Sequence, residues 1–167
     1  ETLDVHGGSN RYFIKKDICK RKIDISVEKN RKLEKKYGLD ANVTYFKFAK
    51  RVKKSREQLR YIFKKCKQKN KKIIGYGATA KSTTILNYCK IDNKTIDYFV
   101  DTTEAKQNKY TPGTKIFIRK YKGYIDNDVD FVFLGAWNFQ KEIFLKEKKF
   151  IKDGGKFIVH TPYPKII

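Results

Sequence analysis

The sequence predicts a three-layer α/β fold with a mostly parallel sheet, preceded by an N-terminal strand and a long helix. Three observations carry this reading. From Lys71 onward, short apolar runs alternate with helical stretches, and strands that are apolar throughout belong to parallel sheets buried on both faces. The first run, "KKII", leads into "GYGATAKS", whose Gly75, Gly77 and Ala80 spell G-x-G-x-x-A. That spacing marks the tight turn between strand and helix in dinucleotide-type folds. Roughly twenty residues past the turn a second apolar run ends in Asp101, where such folds often carry an acid. The arrangement is Rossmann-like.

The same turn nearly matches a Walker loop, G-x-x-x-x-A-K-S. Ala80, however, places a Cβ where that loop needs glycine, and no acid ends the strong strand "DFVFLGAWN". In chain order, "RYFIKKDI" alternates as a strand, led in by the flexible His6-Gly7-Gly8-Ser9. Ser26 is expected to cap a short helix through Leu33 and Tyr37, stopped by Gly38. A long helix is predicted over 43–67. Its Tyr45, Phe48, Ala49, Val52, Leu59, Ile62, Phe63 and Cys66 recur at three- and four-residue steps, as core or domain-packing residues do. Lys71 to Ile74 is a strand, and Thr79 to Tyr88 a helix with Ile85 and Leu86 inward. "TIDYFVD" is the second strand and "TKIFI" the third, after a turn "YTPG" in which Pro112 fixes φ and Gly113 closes. "VDFVFLGAW" is the fourth strand, a helix follows over 139–150, and "GGKFIVHTP" is the last strand.

Forty Lys and Arg against 18 Asp and Glu give a net charge of +22. Such a balance points to an anionic partner. Only seven of the forty are arginines, and the lysines are scattered over every polar face among many Ile, Asn, Tyr and Phe residues, a composition that AT-rich coding produces. No RNP, zinc-finger or KH pattern accompanies the charge, so a phosphate-bearing ligand is expected and nucleic acid is not. Cys19, Cys66 and Cys89 share no C-x-x-C spacing, so neither a disulfide framework nor a metal site is expected. Without a signal peptide or a long apolar run, the chain is expected to be cytoplasmic and to engage no membrane. It has no methionine and starts at "ETLDVHGGS", as the tail of a longer polypeptide would.

Five motifs stand in one order: "HGGSNR", "GYGATAKSTT", "VDTTEAKQNKYTPGT", "AWNF" and "GGKFIV". Together, from about His6 to Thr161, they resemble the C-terminal domain of S-adenosylmethionine-dependent sugar C-methyltransferases. Those enzymes methylate a nucleotide-linked 4-keto-deoxysugar beside its ketone. The resemblance implies a transferase whose cofactor, S-adenosylmethionine, is held by a methyltransferase domain lacking here, so this piece alone is expected to be inactive. It implies that 1–20 is the tail of that domain, 21–70 a helical lead-in and 71–167 a Rossmann-like nucleotide-sugar-binding domain. His6 matches the histidine of the family's H-G-G-S motif, regarded as the catalytic base. A proton beside a ketone is acidic enough for imidazole to remove, and a pKa near neutrality suits the task. The implied ligand is a nucleoside-diphosphate sugar, with thymidine diphosphate the expected carrier. Arg11, Tyr76, Gly77, Lys81, Ser82, Trp137 and Asn138 are its candidate contacts. The amides of Gly77 to Lys81 open a helix whose positive end favours an anion. Lys81 and Ser82 add a charge and a hydroxyl, and Tyr76 is placed to lie against base or sugar. Asn10 and His160 depart from the family's pattern, which bears on the sugar pocket. Two other readings stay open: a free-standing Rossmann domain binding NAD or a similar nucleotide, and a basic module binding RNA or polysaccharide. Asp101 permits the first, but "TAKSTT" puts a lysine and hydroxyls where NAD folds usually have small apolar residues.

Overall fold

A computed structural model describes residues 1–5 and 7–167. Two units, residues 1–52 and 53–167, divide inside one long helix.

In the first unit, β1 (Thr2–Leu3) and β2 (Ser9–Asn10) pair antiparallel. The strand expected at "RYFIKKDI" is absent: residues 11–18 are irregular, with Tyr12, Phe13 and Ile14 exposed. A strand needs partners for its backbone groups, and among the described residues the pairing falls on β1 and β2 instead. Helix α1 spans Ile25–Lys36. Its cap is Asp24 and not Ser26, because the Asp24 carboxylate accepts the Ser26 N–H at 2.8 Å, an anion at the positive end of the helix. Gly38 closes it as expected, at φ +64. Helix α2 covers Asn42–Gln68. Leu59, Phe63 and Cys66 are buried while Tyr45 and Phe48 are exposed, so its apolar stripe is core only in part.

The second unit holds β3 (Ile73–Tyr76), β4 (Phe99–Asp101), β5 (Ile118–Lys120), β6 (Phe131–Leu134), β7 (Lys156–Val159) and β8 (Lys165–Ile166). They form one sheet in the order β5-β4-β3-β6-β7-β8. Every pairing is parallel except β7 with β8, an edge strand the sequence did not announce. Successive side chains point to opposite faces, so Ile73, Phe99, Phe133 and Ile158 meet Phe63 of α2 and Leu86 of α3 (Ala80–Cys89). On the other face Ile74, Val100, Val132 and Phe157 meet Ile143 of α4 (Gln140–Lys146) and Phe150 of α5 (Lys148–Lys152). This is the three-layer, mostly parallel fold the apolar runs predict.

Two elements differ from expectation. The third strand begins where "TKIFI" ends, because 111–116 closes into a turn: Thr111 Oγ1 accepts the Ile116 N–H at 2.9 Å, and Lys115 sits at φ +54. Asn108 and Lys109 fold back along β5, exchanging backbone hydrogen bonds with Ile118 at 2.9 and 2.8 Å. The helix expected over 139–150 is two helices, broken at Glu147, a buried carboxylate that accepts the Tyr121 hydroxyl. No described helix is long and apolar enough to cross a membrane.

Candidate functional site

Between β3 and β6 the strand order reverses, and open α/β sheets bind ligands beyond the carboxyl ends of strands at such a point. Two glycines bring the loops there into contact. Gly77 sits at φ +80, and a Cβ on it would lie 2.6 Å from the Ala136 methyl. A Cβ on Gly135 would strike the Gly77 carbonyl oxygen. Only glycine permits this approach of backbone to backbone.

The turn is then locked from three sides. Asp101, at the end of β4 and 6% exposed, accepts the Ala78 N–H on Oδ2 and the Thr103 N–H on Oδ1, each at 2.8 Å. Burial alone would raise its carboxyl, but the Thr103 hydrogen bonds, the Lys106 ammonium and the Ala78 amide hold it below the usual range. Thr79 and Ser82 form a reciprocal capping box at the start of α3, and the Thr79 hydroxyl donates to the Gly135 carbonyl at 3.1 Å. The amides of Gly77, Ala78 and Thr79 are thereby spent on protein acceptors. Those of Ala80 and Lys81, in the first helical turn, have no acceptor within the helix. Beside them the Lys81 ammonium stands 4.9 Å from the centre of the Trp137 ring, in the 3₁₀ turn Trp137–Phe139 that follows β6.

The predicted site residues separate accordingly. Gly77, Lys81, Ser82, Trp137 and Asn138 come together at the switch point, with Trp137 and Asn138 half-buried. Ser82 is 1% exposed, and its hydroxyl donates to the Thr79 carbonyl at 2.7 Å, so it shapes the turn from within. Tyr76 points down into the α4–α5 layer against Tyr121, ring centres 5.1 Å apart, and burial pushes its hydroxyl up to about 12. Arg11 lies in the first unit, paired with Glu1 at 3.2 Å. His6 lies outside the described residues. No sequence motif singles out Thr79, Gly135 or Lys106, though the first two are legible as a hydroxyl three residues before Ser82 and a glycine closing an apolar strand.

Two other features lie outside the predicted site residues. His160, after β7, is 7% exposed and stacks on Phe133 at 5.6 Å, with no partner for Nε2 among the described residues. A groove of about 770 Å³ runs between α2 and the far end of α3, by Arg60, Lys64 and Lys90. Ten residues of helix put it about 15 Å from the glycine turn. It is not part of the switch point. Among the described residues no group of three or more His, Cys, Asp or Glu is placed to hold a metal ion.

Residues 4–162 match the family described as C-methyltransferase C-terminal domain. The C-methyltransferase NovU of Streptomyces niveus is 34% identical to this chain over 166 residues. The match covers 99% of this chain and 40% of that protein.

Proposed function

The chain belongs to the C-methyltransferase C-terminal domain family, and on that premise we propose that it binds the nucleotide-sugar substrate of a C-methyltransferase. The observation that carries this is the pairing of Lys81 with Trp137 at the switch point, beside the unspent amides of Ala80 and Lys81. A cation and two N–H donors suit a diphosphate, and an indole face suits a nucleobase. Thymidine diphosphate carrying a 4-keto-deoxysugar is the ligand we infer.

S-adenosylmethionine, the methyl donor that methyltransferases of this kind use, does not fit this turn. An adenosyl ribose would need a free carboxylate at the end of β4, whereas both oxygens of Asp101 accept backbone N–H groups and the residue is nearly buried. The same geometry argues against NAD. We infer that the donor is held by a methyltransferase domain of which 1–20 is the tail, with 21–70 a helical lead-in and 71–167 the sugar-nucleotide site. In that assembly His6 is the base that removes the proton beside the ketone.

Calorimetry at moderate salt tests the binding half. Thymidine diphosphate should bind, and Lys81→Ala should weaken it several-fold; tighter binding of NADH than of any thymidine nucleotide would overturn the reading. The chemical half needs the full-length enzyme. His6→Gln should cut exchange of solvent deuterium into the sugar by a factor on the order of 10²–10⁴ while leaving sugar-nucleotide affinity nearly unchanged. Wild-type exchange in that variant would place the base elsewhere.

A further inference from the structure

We propose that Lys106 is a second phosphate-holding cation of this site, opposite Lys81, and that the pair selects a diphosphate over a single phosphate. The inference rests on the nucleotide reading above and adds a residue to it. Lys106 ends the 3₁₀ turn Glu104–Lys106 that follows β4. Its ammonium is 3.3 Å from Asp101 Oδ2, the oxygen that also accepts the Ala78 N–H. One carboxylate oxygen thus ties Lys106 to the residue that follows Gly77.

The two lysines come from different elements, Lys81 from the start of α3 and Lys106 from the 3₁₀ turn after β4. Lys81 leans toward the loop after β6, against Trp137, and Lys106 comes from the loop after β4. The Lys106 side chain remains 39% exposed while the carboxylate beneath it is 6% exposed. An ammonium has three donors, and Asp101 takes one. The side chain is partly exposed yet already held in place by Asp101, so less conformational freedom is lost if it binds a phosphate. Gln107 steadies the same loop by donating to the Asp101 carbonyl at 3.1 Å.

A simpler role competes with this one: a buried carboxylate needs a counter-charge, and Lys106 supplies it. Phosphate number separates the two. Thymidine mono- and diphosphate would be titrated calorimetrically into the full-length protein, its Lys106→Gln and Lys106→Arg variants, and Lys81→Ala. Lys106→Gln should weaken the diphosphate about tenfold and the monophosphate by no more than about twofold, and Lys106→Arg should restore most of the difference. Equal losses for both nucleotides, or a lowered Tm with affinities unchanged, would assign Lys106 to Asp101 alone and overturn the proposal. If Lys81→Ala weakens the diphosphate while Lys106→Gln does not, only Lys106 is wrong. If wild type binds neither nucleotide, the nucleotide reading itself fails and takes this inference with it.

Discussion

An imidazole buried with one nitrogen unpartnered is tolerated only while neutral. Among the described residues His160 is held that way, and burial pushes its pKa down to about 4 from an ordinary 6.5. A base with a depressed folded pKa contributes stability that is present above its unfolded value and lost as pH falls through its folded one. Denaturant titrations should therefore show wild type losing stability between about pH 6.5 and 4, and His160→Phe losing less. At about 1.4 kcal/mol per pH unit the gap approaches 2–3 kcal/mol at the acid end; parallel curves for the two proteins would refute the assignment. Asp101 works in the same direction, but its carboxyl is held low and acts only below the ordinary carboxylate range. Legibility at this scale depended on side-chain direction. The placement of Gly77, Lys81 and Trp137 around the strand-to-helix turn could be read because residue type and spacing sufficed. Tyr76 could not be read from its place in the motif. It shares the face of Ile74, two residues earlier in β3, and so its ring goes to the core and away from the turn.

Elements were legible where apolar runs were long, and they slipped where a polar side chain intervened. "VDFVFLGAW" and "GGKFIVHTP" both contain their strands, β6 and β7. "TKIFI" lost most of its length to the Thr111 turn, whose hydroxyl bond to Ile116 leaves no periodic trace. The helix over 139–150 reads as continuous because Glu147 is an ordinary helix former; its burial under Tyr121 is a tertiary fact. That burial raises the Glu147 carboxyl above its usual 4.5. For an acid with a raised folded pKa, the stabilising contribution is present below the unfolded pKa and lost as pH rises through the folded value. Glu147→Gln keeps an acceptor for Tyr121 and cannot ionise. It should unfold at a higher temperature than wild type above about pH 5, with the two converging in acid; a variant less stable at pH 7 than at pH 4, relative to wild type, would contradict this.

For the molecule as a whole, strand order is the part no local pattern contains. The sequence shows which segments are strands, and the right-handed crossover rule then restricts how parallel neighbours connect. That rule alone does not say that β3 sits centrally between β4 and β6. The +22 charge was legible at once, but a net charge carries no address: it does not say that one lysine stands over Trp137 and another beside Asp101. The fold-back of Asn108 and Lys109 along β5 has a consequence for how copies of the chain behave in a crowd. An outermost strand with open amides invites a neighbour's strand to add to it, and sheets grow into aggregates that way. Here Ile118 has already given both its backbone groups to 108–109, which leaves Lys120, a charged residue, as the open rim. At the other rim β8 is two residues long. Asn108 holds the seal at φ +59, a conformation asparagine accepts and a β-branched residue resists. Asn108→Val should therefore peel the seal away, and light scattering on mild heating should rise in that variant well before it does in wild type.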